Sequence, residues 1–139
     1  HQNDFFKKIE GERGLIYYGK FVSGEKKRAL YCNSHIFSLP TYYPYEGQPI
    51  SILEAYATGC VVITTNHSGI PQVFSDRING FAVEKKSVQS LMKVMEYIVQ
   101  HTEVLLDIAL SNRNAAFSKY RTSIYCSALT KILDVNNLN

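Results

Sequence analysis

Short hydrophobic runs alternate with segments of helical periodicity along most of the chain. Four runs predict strands, because they are rich in β-branched and aromatic residues and end at glycine, proline or a turn: residues 15–18, Ile36–Leu39, Val61–Thr65 and Gly80–Val83. The third run is almost purely β-branched, which is typical of a central strand of a parallel sheet that is buried on both faces.

Helical signals lie between and after these strands, at residues 1–10, 23–31, 49–58, 73–74 and from residue 87 onward. Ser23 is a suitable N-cap for the second of these helices. Pro49 suits the first position of the third helix, and Gly59 suits its C-terminal cap. From Ser87 the apolar spacing predicts three successive helices, the last one marked by residues 120, 124, 125, 128, 129, 132 and 133.

Strands that alternate with helices predict an α/β fold, a Rossmann-like parallel sheet with flanking helices. No repeat, low-complexity tract or linker divides the sequence. Residues 1–139 are therefore predicted to form one domain or a part of one.

Composition narrows the classes of partner. The net charge of +3 is compatible with an anionic ligand, but no arginine-rich run with interleaved aromatics predicts nucleic-acid binding. The three cysteines are far apart and the histidines lack metal spacing, so neither a disulfide framework nor a metal site is predicted. No apolar run approaches the roughly 18 residues of a membrane span, and a cytoplasmic location is expected.

The segment between the second and third strands carries the most informative chemistry. Ligands of open α/β sheets bind at the carboxyl ends of the strands, where this segment begins. Gly47 permits close backbone approach, and Pro49 opens a helix that Gln48 does not cap well, so the free N–H groups of the first turn can receive a phosphate. Glu46 and Glu54 flank this helix start, and their carboxylates can accept hydrogen bonds from a sugar diol.

Other interpretations of these residues stay open on chemistry alone. Most glutamates are solvated, so Glu54 could lie on an exposed stripe of its helix without a role. In the next loop Asn66, Ser68 and Gly69 could line the same crevice, or they could form a plain turn, to which these residue types are suited.

The order of these segments resembles glycosyltransferase family 4 of the GT-B superfamily. The resemblance runs from about residue 14 to about residue 98 and rests on several motifs in register: Tyr18-Gly19, Leu39-Pro40-Thr41, Glu46-Gly47-Gln48-Pro49, Glu54-Ala55, Cys60-Val61-Val62-Ile63, Ser68-Gly69-Ile70-Pro71-Gln72 and Asn79-Gly80-Phe81. It implies that the chain is the C-terminal, nucleotide-sugar-binding half of a GT-B fold.

The resemblance also implies roles for single residues. Glu46 would be the catalytic residue that contacts hydroxyls of the donor sugar, and Glu54 would bind the ribose diol. The main chain of Gly47, Gln48, Pro49 and Ile50 would hold the diphosphate of a UDP- or GDP-linked donor. The base would lie near Lys20 and Phe21, and Ser68 and Gly69 would flank the donor. Members of such a family retain anomeric configuration and need neither metal nor cofactor, and polysaccharide biosynthesis is the expected context.

The sequence departs from the family pattern at three positions, with Thr41 for Ser, Gln48 for Phe and Gln72 for Glu. The first two strand–helix units of the domain, and the N-terminal domain that would bind a glycan or lipid acceptor, are not represented. The chain is therefore expected to be a partial domain, inactive alone and prone to self-association through an unpaired sheet edge. The full-length protein could lie against the inner face of the membrane.

Two further functions remain open. The chain could be a non-catalytic nucleotide-sugar-binding or interaction module that kept the fold. It could also belong to a GT-B-like epimerase or phosphorylase.

Overall fold

A computed structural model describes residue 14 and residues 21–136, without the side chains of residues 134–136. The predicted strand at residues 15–18, the predicted helix at residues 1–10 and Lys20 lie outside the described residues. The chain divides into two compact units, residues 1–30 and 31–139. In the first unit the helix α1, Gly24–Cys32, begins, and it continues into the second.

A parallel sheet forms the centre of the second unit. Its described strands are β1 (Ile36–Leu39), β2 (Val61–Thr65) and β3 (Gly80–Val83), in the order β1-β2-β3. Phe37 pairs with Val62, and Ile63 pairs with Phe81. The three predicted strands in the described part are therefore confirmed, together with the parallel α/β fold.

The described part also contains five α-helices and a 3₁₀ turn. Beyond α1 they are α2 (Ile50–Ala57), the 3₁₀ turn (Ile70–Gln72), α3 (Val88–Gln100), α4 (Val104–Lys119) and α5 (Thr122–Asn136). Ser87 caps α3 by accepting a hydrogen bond from the Ser90 N–H, at 3.1 Å between heavy atoms. Gly59 follows α2 with a φ of 79°, the left-handed conformation that was predicted for its C-terminal cap.

Two local predictions are corrected. Pro49 is the N-cap of α2 rather than its first helical residue, with an extended ψ of 114°. The turn predicted at residues 73–74 lies earlier, because Pro71 fits the start of the 3₁₀ turn and Val73 already follows it.

The strand β2 is buried along its whole length and separates two hydrophobic clusters. Val62 belongs to one cluster, with Ile52 and Tyr56 of α2. Ile63 belongs to the other, with Phe81 and Ile98. Each buried valine or isoleucine contributes about 1.5–3 kcal/mol through apolar burial, so β2 anchors both sides of the sheet.

Asn112 ties α4 to the amino edge of the sheet. Its side chain is fully buried and donates to the carbonyl oxygens of Cys60 and Asn79, each at 2.9 Å. It also accepts from the Asn79 amide, again at 2.9 Å. Cys60 and Asn79 directly precede β2 and β3, so a single amide fixes the start of both strands.

The loops that follow β1 and β2 meet at the carboxyl edge. The Gly69 N–H donates to the Glu46 carbonyl, at 3.2 Å. A Cβ on Gly69 would lie 2.6 Å from the Gly47 carbonyl oxygen, closer than a methyl group fits, whereas a Cβ on Gly47 would meet no atom within 4 Å. Position 69 therefore requires glycine for the packing of the two loops, and position 47 does not.

We expect Asn112→Ala to lower the free energy of unfolding by about 2–4 kcal/mol, because it removes three hydrogen bonds and takes the Asn112 donor away from the Cys60 carbonyl. Urea denaturation followed by circular dichroism measures the loss. Asn114→Ala, on the exposed side of the same helix, is the matched control and should change stability little. Equal stability of the two variants would contradict this role.

We expect Gly69→Ala to lower the free energy of unfolding by about 1–3 kcal/mol through overpacking against the other loop. Gly47→Ala should change it by about 0.5 kcal/mol or less, since the added methyl group meets open space. Thermal melts of the two variants test this difference, and a larger loss from Gly47→Ala would refute the assigned packing.

Candidate functional site

The two loops at the carboxyl edge are held by the strand β2 beneath them. The Thr64 hydroxyl donates to the Leu39 carbonyl at 2.8 Å, and the Thr65 hydroxyl donates to the Thr41 carbonyl. The residues that end β2 thus fix the path of the chain as it leaves β1. Their polar side chains are fully buried, so the hydrogen bonds satisfy groups that water does not reach.

A histidine completes the joint between the loops. The His67 Nε2 atom lies 2.8 Å from the Tyr43 carbonyl oxygen, the distance of a hydrogen bond that the ring N–H donates. His67 therefore links the loop after β2 to the loop after β1.

Two of the three departures from the family pattern contact each other. The Gln48 amide nitrogen donates to the Gln72 side-chain oxygen at 2.6 Å, so the loop after β1 is linked to the 3₁₀ turn after β2. Both side chains are exposed at the carboxyl edge. Two neutral amides therefore occupy positions that in the family pattern hold a phenyl ring and a carboxylate.

The start of α2 is open to an anion. Pro49 caps the helix without any side-chain hydrogen bond. The Ile52 N–H donates to the Pro49 carbonyl at 3.0 Å. The N–H groups that begin a helix have no partner one turn earlier, and the helix dipole places positive potential at this end. Gly47 stands just before it and adds no side chain, so the space above the first turn stays clear.

Glu46 lies in the loop directly in front of this helix start and is half-buried. Both main-chain polar groups of Glu46 are hydrogen-bonded. The N–H donates to the Tyr43 carbonyl at 3.1 Å, and the carbonyl oxygen accepts from the Gly69 N–H. Ser68 precedes this contact with a φ of 51°, which turns the second loop sharply. The structure thus brings Glu46, Gly47, Ser68 and Gly69 together.

Glu54 lies on α2, one turn beyond Ile50, and is half-buried rather than on a solvated stripe. It borders a cavity of about 290 Å³ that Ile50 also lines, with Phe117, Tyr120 and Arg121 on the opposite wall. Glu46 does not line this cavity. The two glutamates are therefore linked through the first turn of α2 and not by one shared cavity.

Tyr31 contacts the carboxylate of Glu54, a contact that spacing along the chain did not indicate. Its hydroxyl lies 3.5 Å from Glu54 Oε2 and 3.3 Å from the Ser51 carbonyl oxygen. Burial and the Glu54 carboxylate raise the pKa of Tyr31 to about 12. Tyr31 precedes β1 by only a few residues, and no pattern distinguishes it from a tyrosine that simply packs against the core.

Positive charge reaches the same edge from the loop after β3. The Lys86 ammonium lies 5.0 Å from the centre of the Tyr42 ring, in cation–π range. Tyr42, Tyr43 and Tyr45 are all exposed, and the last two pack edge to face with ring centroids 5.8 Å apart. The loop after β1 therefore presents aromatic rings beside an ammonium group.

A larger cavity of about 910 Å³ lies at the opposite, amino edge of the sheet, near His35 and Ile36. Its lining combines small polar groups with Ile98, Leu105 and Leu106 and contains no charged side chain. It lacks the anion-binding chemistry of the carboxyl edge, in spite of its size.

Lys20 and Phe21 are the residues that the sequence predicts near the base of the nucleotide. Phe21 is described and is 89% exposed, whereas Lys20 lies outside the described residues, so the base contacts stay a prediction.

Among the residues that the structure describes, no group of three or more His, Cys, Asp or Glu side chains could hold a metal ion. No described helix is long and apolar enough to cross a membrane.

Comparison with known sequences finds a family and several relatives. The family model "Glycosyl transferases group 1" matches residues 2–115. The amylovoran biosynthesis glycosyltransferase AmsK of Erwinia amylovora is 26% identical over 118 residues, which cover 82% of this chain and 29% of that protein. An N-acetylgalactosaminyltransferase of Campylobacter jejuni, which acts on N,N'-diacetylbacillosaminyl-diphospho-undecaprenol, is 26% identical over 73% of this chain and 26% of its own length. The chain thus spans less than a third of these relatives.

Comparison with solved structures finds the same fold. The C-terminal domain of a glycosyl transferase group 1 family protein (LpcC) from Francisella tularensis superposes with a TM-score of 0.72 at 23% identity, over 86% of this chain and 60% of that one. HepE of Anabaena, solved with UDP and glucose, gives a TM-score of 0.81 at 15% identity, over 96% of this chain and 35% of that one.

The structural likeness confirms the predicted α/β fold, a parallel sheet with flanking helices, which the chain shares with the C-terminal domain of that glycosyl transferase group 1 family protein. The family model covers 114 of the 139 residues, from 2 to 115, and so includes both loops and the helix between the two glutamates. The chain belongs to the glycosyl transferases group 1 family.

Proposed function

We propose that residues 1–139 are the donor-binding part of a retaining glycosyltransferase that uses a UDP- or GDP-linked sugar. The observation that carries the proposal is the open start of α2, where an uncapped helix terminus and Gly47 leave space for a diphosphate. Relatives that are named glycosyltransferases, and a neighbour of the same fold solved with UDP and glucose, support the choice of ligand.

In this proposal the nucleotide sugar extends along α2. The diphosphate binds at the main chain of Gly47, Gln48 and Ile50, and the ribose diol binds the Glu54 carboxylate one turn further along the helix. Residues four apart in a helix are separated by roughly 6 Å along its axis and lie on one face. The cavity that Ile50 and Glu54 share gives the nucleoside a place on that face.

The donor sugar then lies beside Glu46, with Ser68 and Gly69 on the other side. During transfer the bond between the anomeric carbon and the diphosphate oxygen breaks, and an acceptor hydroxyl bonds to the same face of that carbon while its proton passes to the departing diphosphate. Negative charge accumulates on the departing diphosphate, and N–H groups that are already aimed at it stabilise that charge. The helix start supplies such groups without a metal ion.

The acceptor is a glycan or a lipid-linked glycan in this proposal. Support comes from the printed functions of the relatives, which include amylovoran synthesis and transfer to a diphospho-undecaprenol-linked sugar. Acceptor binding is assigned to parts of the full-length protein that the chain does not include. The proposed location is cytoplasmic, with the full-length protein at the inner membrane surface.

Removal of the Glu54 carboxylate tests the ribose contact. We expect Glu54→Ala to weaken UDP or GDP binding by about 1–3 kcal/mol, the loss associated with hydrogen bonds to a charged group. Isothermal titration calorimetry measures the affinity, with Glu96→Ala on the exposed side of α3 as the control. Equal affinities of Glu54→Ala and the unaltered chain would sink the assignment.

A methyl group at position 47 tests the diphosphate position. Because it meets no protein atom, Gly47→Ala should keep the melting temperature. We expect it to weaken UDP binding by about tenfold or more, since the methyl group enters the space assigned to the ligand. Thermal melts with and without UDP measure both properties in one experiment, because a bound ligand raises the melting temperature. Unchanged UDP stabilisation in this variant would place the diphosphate elsewhere.

A further inference from the structure

The hydroxyl of Tyr31 lies between two acceptors that belong to α2. One is the Ser51 carbonyl oxygen, at 3.3 Å, and the other is Glu54 Oε2, at 3.5 Å. A phenolic hydroxyl has one proton to donate, so the two acceptors share it. The carbonyl belongs to the helix backbone and cannot move independently, which leaves the Glu54 side chain as the partner that adjusts.

The tyrosine itself is a fixed anchor. Its ring packs against Phe37 of β1 with centroids 5.5 Å apart, at the edge of the core cluster on that face of the sheet. Its main-chain carbonyl lies 3.5 Å from the Cys60 thiol, which can donate to it. Burial and the neighbouring carboxylate raise the pKa of Tyr31, so the hydroxyl keeps its proton at neutral pH and faces Glu54 as a donor.

We propose that Tyr31 is a positioning residue for nucleotide binding: through its hydroxyl it holds the Glu54 carboxylate in the orientation that accepts the ribose diol. The inference rests on the proposed function of Glu54 and adds a residue that does not touch the ligand. A long glutamate side chain loses several rotatable bonds when it binds, and a carboxylate that is already oriented loses less entropy. Tyr31 thereby raises the affinity for a ribonucleotide without contacting it.

Tyr56 provides a natural comparison. It lies on α2, as Glu54 does, is fully buried, and its hydroxyl donates to the Val73 carbonyl at 3.0 Å. Its hydroxyl therefore holds main chain, whereas that of Tyr31 also reaches a side chain assigned to the ligand. A Tyr→Phe change at each position removes the same atom and keeps the ring.

A double-mutant cycle tests the inference. We expect Tyr31→Phe to weaken UDP binding about fivefold, as measured by titration calorimetry. In a Glu54→Ala background the same change should weaken binding by less than about twofold, because the side chain through which Tyr31 acts is gone. Tyr56→Phe should lower the melting temperature and leave the UDP affinity of the folded chain unchanged.

The cycle separates failure of this inference from failure of the proposed function. If UDP binds and Glu54→Ala weakens it, yet Tyr31→Phe has the same effect in both backgrounds, Tyr31 does not act through Glu54. If the unaltered chain does not bind UDP or GDP, the donor-site assignment falls and the positioning role falls with it. As a readout without ligand, the carbon-13 NMR signal of the Glu54 carboxylate should shift on Tyr31→Phe and stay in place on Tyr56→Phe. An unmoved signal in Tyr31→Phe would overturn the proposed contact.

Discussion

The burial of β2 on both faces is the constraint on which the remaining structure depends. A strand without a polar face fits only between two partners and under two layers, so β1, β3, α2 and α3 all take their places from it. The last two residues of β2 are polar, unlike the apolar residues before them. Thr64 and Thr65 are as buried as the valines before them, but their hydroxyls hold the carbonyls of the departing loop. One strand thus supplies apolar stabilisation and also determines where the candidate site begins.

The two edges of the sheet are held by different kinds of contact. At the amino edge a single buried amide, Asn112, joins α4 to the starts of β2 and β3. At the carboxyl edge the contacts run between loops, through the approach of Gly69 to Gly47 and the pair of Gln48 with Gln72. The large cavity lies at the first edge and the anion-binding chemistry at the second. We therefore place the candidate site at the carboxyl edge because of its chemical groups, although the larger cavity lies at the amino edge.

Much of this fold could be predicted from the sequence because its periodic signals are strong. The β-branched run of β2 and the helical spacing after Ser87 gave elements close to those observed. The chemistry of residues 46–54 indicated an anion site. Glu54 was ambiguous on chemistry alone, and the family motifs made it a candidate binding residue. Contacts between distant residues could not be predicted from the sequence. Gln48 and Gln72 are 24 positions apart, and Tyr31 and Glu54 are 23 positions apart. No local pattern encodes which side chains meet after folding, and hence the contact between two departures from the family pattern emerged only from the structure.

The contact between Gly47 and Gly69 has a consequence for the kinetics of ligand capture. The two loops pack closely and are joined by hydrogen bonds, so the proposed donor would meet a surface that is already assembled. Binding to such a surface does not wait for a rearrangement, and association rates then follow diffusion and electrostatic attraction. In this view the absence of a side chain at position 69 contributes to the pre-assembly of the proposed donor site as well as to the packing of the loops.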